Sequence, residues 1–234
     1  MPRPRSRVQY RVAATEPPSV RLPQRVVPAV DPWIAGEMFF SPHVQERRRG
    51  LALLLGSETT RRSPLVPQLL LVRLEEPDLG LRAQILQALS DYFEVRERQF
   101  RYPPEVRAVV VGCLRKFDRP QWLALLELQS SDLAARLGPE ALKALLERIP
   151  DAAAQLAQLA SDRSVASNWR CAAIEIIGQA GFTDTLPLLA GLEIRLTGCL
   201  AGQLALDFAP PDPLEDQALL PALRDALQRL REMG

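Results

Sequence analysis

A helical phrase recurs along this chain, consisting of an arginine followed by small and aliphatic residues and ending near a glycine or a polar turn. It occupies residues 49–56, 82–89 and 170–178. The first two copies lie 33 residues apart, about the length of one helical hairpin, and the third follows 88 residues later. Repetition at this spacing predicts helical hairpins stacked in a row, an α-solenoid in which each hairpin contacts its neighbours.

The composition supports an all-α fold. Of the 234 residues, 47% are hydrophobic but only 6% are aromatic, and leucine and alanine fill most apolar positions. Leucine and alanine favour helix over sheet. Prolines after small or acidic residues divide the chain into short helices, which pair most simply as antiparallel hairpins. We therefore predict about five stacked antiparallel helical hairpins.

The first 40 residues differ from the rest of the chain. Eight of the 21 prolines lie within the first 42 positions, and the aliphatic residues among them follow no helical period. Because proline fixes φ and removes a backbone donor, we predict an extended arm over residues 1–40. We expect the apolar residues 32–40 to dock on the first helices. Residues 41–234 form the helical-repeat domain, with the last helix, 214–233, as its C-terminal cap.

The net charge of +1 conceals an uneven distribution. Residues 1–62 hold 11 arginines and 5 acidic side chains, a balance of +6, so the remaining residues carry −5. A basic segment of this kind either binds an anionic partner or is a solvated tail, and both interpretations stay open. If it binds a partner, the candidate contacts in the arm are Arg3, Arg5, Arg7, Arg11, Arg21 and Arg25.

Catalytic and metal-binding patterns are not found in the sequence. His43 is the single histidine, so one chain cannot build a histidine-based triad or a multi-histidine metal site. The three cysteines are widely spaced, which argues against a disulfide framework and a zinc site. No apolar run reaches the ~18 residues of a membrane span, and no signal peptide is evident. We expect a cytoplasmic, non-enzymatic protein without cofactor or metal.

One segment carries a family resemblance. Residues 168–178, with the sequence NWRCAAIEIIG, precede the sequence DTLPLL at 184–189. Together they resemble one HEAT-type repeat, whose first helix carries an arginine, small residues and a terminal glycine, and whose second helix carries a Leu-Pro-Leu-Leu pattern. The resemblance implies that Arg49, Arg82 and Arg170 match the arginine that links neighbouring repeats, or else contact a partner.

The resemblance also implies a function. HEAT-like arrays usually bind proteins along their surface, so we expect a scaffold or an assembly subunit. Some HEAT-like proteins are DNA glycosylases with a cationic concave face, and Trp122, Trp169 and Arg170 could be fitted to such a site. Others assist bilin attachment as lyases or chaperones. Nucleic-acid binding and bilin chaperoning remain as alternatives to the scaffold.

Overall fold

The helices of this protein begin and end where proline, aspartate and glycine interrupt the apolar pattern. The computed structural model describes residues 31–96, 99–100, 102–200 and 217–234. Over these residues the predicted all-α class is confirmed, and the extended pairing they contain is a two-residue antiparallel ladder between Val95–Arg96 (β1) and Gln99–Phe100 (β2). The helices are α1 (Pro32–Phe39), α2 (Val44–Leu55), α3 (Glu58–Arg61), α4 (Leu65–Val72), α5 (Leu79–Asp91), α6 (Pro104–Leu114), α7 (Arg119–Gln129), α8 (Pro139–Leu146), α9 (Ala152–Ser161), α10 (Ser167–Ala180), α11 (Leu186–Leu200) and α12 (Leu219–Met233), with 3-10 turns at Ala134–Arg136 and Thr183–Thr185.

Side-chain caps fix the starts of several helices. The Asp78 carboxylate accepts a hydrogen bond from the Leu81 backbone N–H at 2.8 Å, and Asp118 forms a reciprocal capping box with Gln121 at the start of α7. Such caps satisfy backbone donors that have no partner inside the helix. At the other end of α10, Gly181 adopts φ 76°, a left-handed conformation that terminates the helix.

The sequence prediction differs from the structure in the end of the arm and in one helix that it did not include. Residues 32–39 are helical instead of extended, because Asp31 accepts the Trp33 backbone N–H and Pro32 occupies the first turn, where its missing N–H costs nothing. The short helix α3 was not predicted, although Ser57 caps it by accepting from the Thr60 N–H. The last helix begins at Leu219, and residues 214–216 of its predicted range lie outside the described residues.

The core is continuous from α1 to α12. Helix α5 contacts α2 and α7, and α10 contacts α7 and α12, so each of these helices is linked to the next along the chain of contacts. The core consists mainly of leucine, isoleucine and alanine, with Phe39, Tyr92 and Trp122 as its largest fully buried members. Burial of this apolar surface provides most of the stabilisation of such short helices, which are marginal in isolation.

Two glycines allow helices to approach closely. A Cβ on Gly50 of α2 would lie 2.7 Å from the Phe39 Cα and 2.8 Å from the Ala35 carbonyl oxygen of α1. A Cβ on Gly178 of α10 would lie 2.9 Å from the Ala226 Cα of α12. The first contact positions α1 and the second positions α12, the two ends of the described helical array. The sequence predicts that Gly178 and Gly181 end α10; Gly181 is its C-cap, whereas Gly178 lies inside the helix.

Candidate functional site

Among the described residues, an extensive set of polar contacts surrounds one buried carboxylate in the loop between α4 and α5. Glu76 is fully buried and accepts hydrogen bonds from Arg47 Nη2 at 2.7 Å, from Arg73 Nε at 3.0 Å and from the Asp78 backbone N–H at 3.1 Å. Arg47 also donates to the Pro42 carbonyl at 2.8 Å. A buried charge is tolerated only when it is paired and hydrogen-bonded, and here both conditions hold. This cluster joins the turn before α2 to the loop before α5.

Arg82 extends the same network toward α7. Its side chain is buried, and Nε donates to the Glu76 carbonyl oxygen at 2.8 Å. Its Nη1 donates to the Ala124 carbonyl at 2.8 Å and to a Glu127 carboxylate oxygen at 2.7 Å. The guanidinium therefore bridges α5 to α7, and its burial leaves no face for a partner protein.

The other two sequence-derived arginines have different surroundings. Arg170 is buried, and its Nε donates to the Ala160 carbonyl at 3.0 Å at the end of α9. Arg49 is exposed on α2, and the arginine that is buried on this helix is Arg47. The helical period could have identified Arg47 as the buried arginine, because Arg47 shares a face with Leu51 and Leu54 whereas Arg49 does not. Alignment of the recurring helical phrase selected Arg49, two residues further along the chain.

The six candidate arginines of the arm lie outside the described residues. They are Arg3, Arg5, Arg7, Arg11, Arg21 and Arg25. The described chain begins at Asp31, so residues 1–30 precede α1 directly in the sequence.

The described residues do not bring together the side chains of a glycosylase-like site. Trp122 is buried against Phe117, with ring centroids 4.9 Å apart in an edge-to-face arrangement. Trp169 packs against the core, and the Arg170 guanidinium is buried. A cationic surface that grips a phosphate backbone requires exposed arginines and aromatic faces. These three side chains instead contribute to packing.

Metal-ligating side chains do not cluster in the part of the chain that the structure describes. Groups of three or more histidine, cysteine, aspartate or glutamate residues suited to hold an ion are absent from it. His43 is exposed at the residue preceding α2.

A groove of about 480 Å³ lies between α10 and α12, and Cys171, Glu175, Asp225 and Arg229 are among its lining residues. Cys171 Sγ lies 3.5 Å from the Ala218 carbonyl oxygen, to which it donates. Burial, together with the nearby Glu175 carboxylate, raises the pKa of the Cys171 thiol. Because the thiolate is the nucleophilic form, this thiol is poorly suited to covalent chemistry at neutral pH.

Large exposed apolar side chains concentrate at the two ends of the helical array. Among the described residues they are Trp33, Ile34, Phe40, Val72, Leu188, Ile194 and Met233. We call the first four, on α1 and the adjoining end of α4, the N-terminal patch. Trp33 is 67% exposed and Val72 is 72% exposed, while Arg73 lies over the Phe40 ring at 5.7 Å from its centroid. Exposed apolar patches often mark interaction sites, so these side chains are candidate contacts for a partner.

Only some of the apolar residues 32–40 dock on the neighbouring helices as expected. Ala35 and Phe39 are fully buried and α1 packs on α2, but Trp33 and Ile34 point away from this contact. The sequence pattern did not distinguish the two faces, because apolar residues occur on both sides of α1.

Comparison with known proteins identifies no relative. No family model matches the chain, and no curated protein or solved structure is significantly similar to it. Helices long and apolar enough to cross a bilayer are not found among the described residues.

Proposed function

We propose that this protein is a non-catalytic binding or assembly subunit, in which a solenoid of about five HEAT-like hairpins provides a rigid platform for a protein partner. The successive contacts of α2, α5, α7, α10 and α12 support the solenoid. The buried bridges made by Arg47, Arg82 and Arg170 support its rigidity, because each ties neighbouring helices through fixed hydrogen bonds.

The observation that carries the proposal is the exposure of Trp33 and Ile34 at the N-terminal patch. Trp33 is 67% exposed and Ile34 is 57% exposed, although both belong to a helix that is otherwise docked through Ala35 and Phe39. Tryptophan is enriched among the residues that contribute most to protein–protein binding, because its large apolar area is desolvated on association. A partner that covers this face gains most from these two side chains, because Phe39, another large apolar side chain of α1, is already buried against the core.

The polar groups around the patch set the orientation of the partner. Glu37 is exposed on the same side of α1 as Trp33, and Arg73 lies at the border beside Phe40. Charges at the rim of an interface contribute to orientation and association rate more than to affinity. The arm, with its six arginines, leaves the described chain beside this surface, and we assign it to the same partner. The partner therefore combines an apolar pocket with acidic groups placed opposite Arg73 and the arm.

The test is affinity capture from native cell extract with nuclease-treated and untreated samples in parallel, followed by mass spectrometry. We expect a defined protein set that persists after nuclease treatment. The decisive comparison uses Trp33→Ser combined with Ile34→Ser, matched by Met233→Ser, which changes an exposed apolar side chain at the opposite end. Each identified partner is then purified and its affinity for the three proteins is measured.

The proposal requires that the patch variant lose the partner, with affinity reduced at least tenfold, while Met233→Ser retains it. Deletion of residues 1–30 tests the arm separately, and unchanged capture would remove the arm from the proposal. Loss of all captured proteins after nuclease treatment would favour nucleic-acid binding instead, whose affinity falls steeply as salt concentration rises.

A further inference from the structure

A continuous groove runs along the outward face of α5. One part of it, about 330 Å³ in volume, is lined by Leu55 at the end of α2. A second part, of about 370 Å³, is lined by Glu140 at the start of α8. Gln87 and Asp91 of α5 line both parts, so the two are joined, and we call the whole the α5 groove.

The chemical character of the α5 groove changes from one end to the other. The end beside α2 is mainly apolar, with Leu55 and Ala83 among its lining residues, and Arg136 lies at its edge. The other end is lined by Glu94 and Glu140. Glu140 is exposed and forms no ion pair within the described part of the chain. A basic ligand is therefore attracted to the acidic end and repelled from the end that carries Arg136.

Two cations near the acidic end already have partners. Arg61 Nη1 lies 3.4 Å from an Asp91 carboxylate oxygen. Arg148 lies over the Phe93 ring at 5.4 Å from its centroid and pairs with Glu147 at 3.7 Å. Neither arginine is among the residues that line the groove, so this end presents carboxylates to a ligand.

The ten residues before the described chain show the same change of character. Residues 26–30, with the sequence VVPAV, are apolar, whereas Arg25 and Arg21 lie further from α1. Pro23 and Pro28 favour an extended conformation that loses little entropy when it binds in a groove. If this segment enters the groove beside α2, its valines meet the apolar end and its arginines point toward the acidic end.

The start of α1 lies near the apolar end of the groove. Helices α1 and α2 are joined by residues 40–43 and pack as an antiparallel hairpin, with Gly50 level with the turn of α1 between Ala35 and Phe39. Five residues further along α2, and five residues back along α1, Leu55 and Pro32 are therefore roughly level with each other.

The length of the segment fits the groove. From position 83 to position 94 the groove follows 11 helical residues, which is about 16 Å at 1.5 Å per residue. Five extended residues separate Val26 from Arg21, and at about 3.3 Å per residue they also span about 16 Å. Arg21 lies 11 residues before Pro32, so it reaches up to about 36 Å from the start of α1.

We infer that residues 21–30 of the chain's own arm lie in the α5 groove in the free protein, with Val26 near Leu55 and Arg21 beside Glu140. Covalent attachment to α1 gives this segment an effective concentration on the order of millimolar, so even a weak contact keeps it docked. A partner whose acidic groups bind the same arginines has to draw the arm out of the groove. Docking in the free protein does not itself rest on the proposed function.

Limited trypsin digestion of the full chain measures the docking, because trypsin cleaves after arginine and a segment held in a groove is protected. Cleavage after Arg21 and Arg25 should be at least threefold faster in Glu140→Gln than in wild type. The matched control is Glu175→Gln, which changes an exposed carboxylate in the groove between α10 and α12 and should cleave at the wild-type rate. At about 1 M salt the difference between Glu140→Gln and wild type should disappear, since charges are then screened within about 3 Å.

The register is tested by a disulfide under mild oxidation. Val26→Cys combined with Gln84→Cys, which is exposed in the apolar part of the groove, should form an intramolecular disulfide. The rate should be at least fivefold higher than for Val26→Cys combined with Gln179→Cys, which lines the groove between α10 and α12. Val26→Cys alone measures the background from the native cysteines.

Three results would overturn the inference. They are equal disulfide rates for the two pairs, arm cleavage that is unaffected by Glu140→Gln, and a disulfide that links two chains instead of closing within one. The last result would place the arm in the groove of a second copy. Failure to capture a partner through the N-terminal patch would leave all three measurements unchanged, so the two proposals can fail separately.

Discussion

Replacing Gly50 by alanine should destabilise the protein, although alanine is the better helix former. Gly50 lies inside α2, where an exposed Gly→Ala change would stabilise by about 1 kcal/mol. Here the added Cβ would contact the Phe39 backbone nitrogen and Cα and the Ala35 carbonyl oxygen. These are backbone atoms of α1, which cannot rotate away as a flexible side chain would.

The magnitude follows from the distances. The Cβ would lie 2.7 Å from the Phe39 Cα and closer still to the Phe39 nitrogen, whereas ordinary contacts begin at 3.4 Å, so α1 must retreat by at least about 0.7 Å. Overpacking of this kind costs about 1–3 kcal/mol, and the helix-propensity gain offsets part of it. We expect a net loss of about 1–2 kcal/mol, which lowers Tm by roughly 2–8 °C in a domain of this size.

The matched control is Gly112→Ala in α6, where the new Cβ would have nothing within 4 Å. This variant should be stabilised by up to about 1 kcal/mol. Thermal and urea unfolding, followed by circular dichroism, measure both proteins, and limited proteolysis at the turn before α2 reports loosening of α1. If Gly50→Ala is as stable as Gly112→Ala, the inferred close packing of α1 on α2 is wrong.

Three further predictions concern other contacts. Glu76→Gln removes a buried charge and leaves Arg47 without its anionic partner, which should cost about 3–5 kcal/mol in urea unfolding. Gly178→Ala should cost about 1–2 kcal/mol net because its Cβ would lie 2.9 Å from the Ala226 Cα. The Ser164 hydroxyl and the Arg119 guanidinium lower the pKa of Asp162 to about 2, so its stabilising contribution should be present above its ordinary value of 3.8. It should be lost as the pH falls from 3.8 toward 2, and the unfolding free energies of wild type and Asp162→Asn should then converge.

Each of these predictions has its own control. Arg48→Ala breaks a salt bridge whose arginine is half exposed, and it should lower the free energy of unfolding by no more than about 1 kcal/mol. If Glu76→Gln lowers the free energy of unfolding by the same amount, burial does not strengthen the Glu76 contacts as proposed. Gly112→Ala serves again for Gly178→Ala, and similar stabilities would contradict the α10–α12 contact. A difference between wild type and Asp162→Asn that persists unchanged at pH 2 would refute the electrostatic assignment.

The candidate site was accessible to sequence reasoning only in part. The phrase around Arg82 and Arg170 identified side chains that are in fact buried between helices. The same alignment selected Arg49 in place of Arg47, because the phrase follows the order of residues along the chain whereas burial follows the face of the helix. The burial of Glu76 could not be predicted from the sequence. Its neighbour Glu75 is also a glutamate but is exposed, and nothing in the local sequence distinguishes the two.

The sequence by itself determined the helical class and the division of the chain into short helices. These depend on local chemistry: aspartate or serine accepts free backbone N–H groups, proline is tolerated only in the first turn, and apolar residues recur with the helical period. Tertiary structure decided which charges are buried, which glycines are filled by a neighbouring helix and which apolar side chains stay exposed. Those properties depend on distances between residues remote in the chain, such as the 29 positions between Arg47 and Glu76, and no local pattern specifies them.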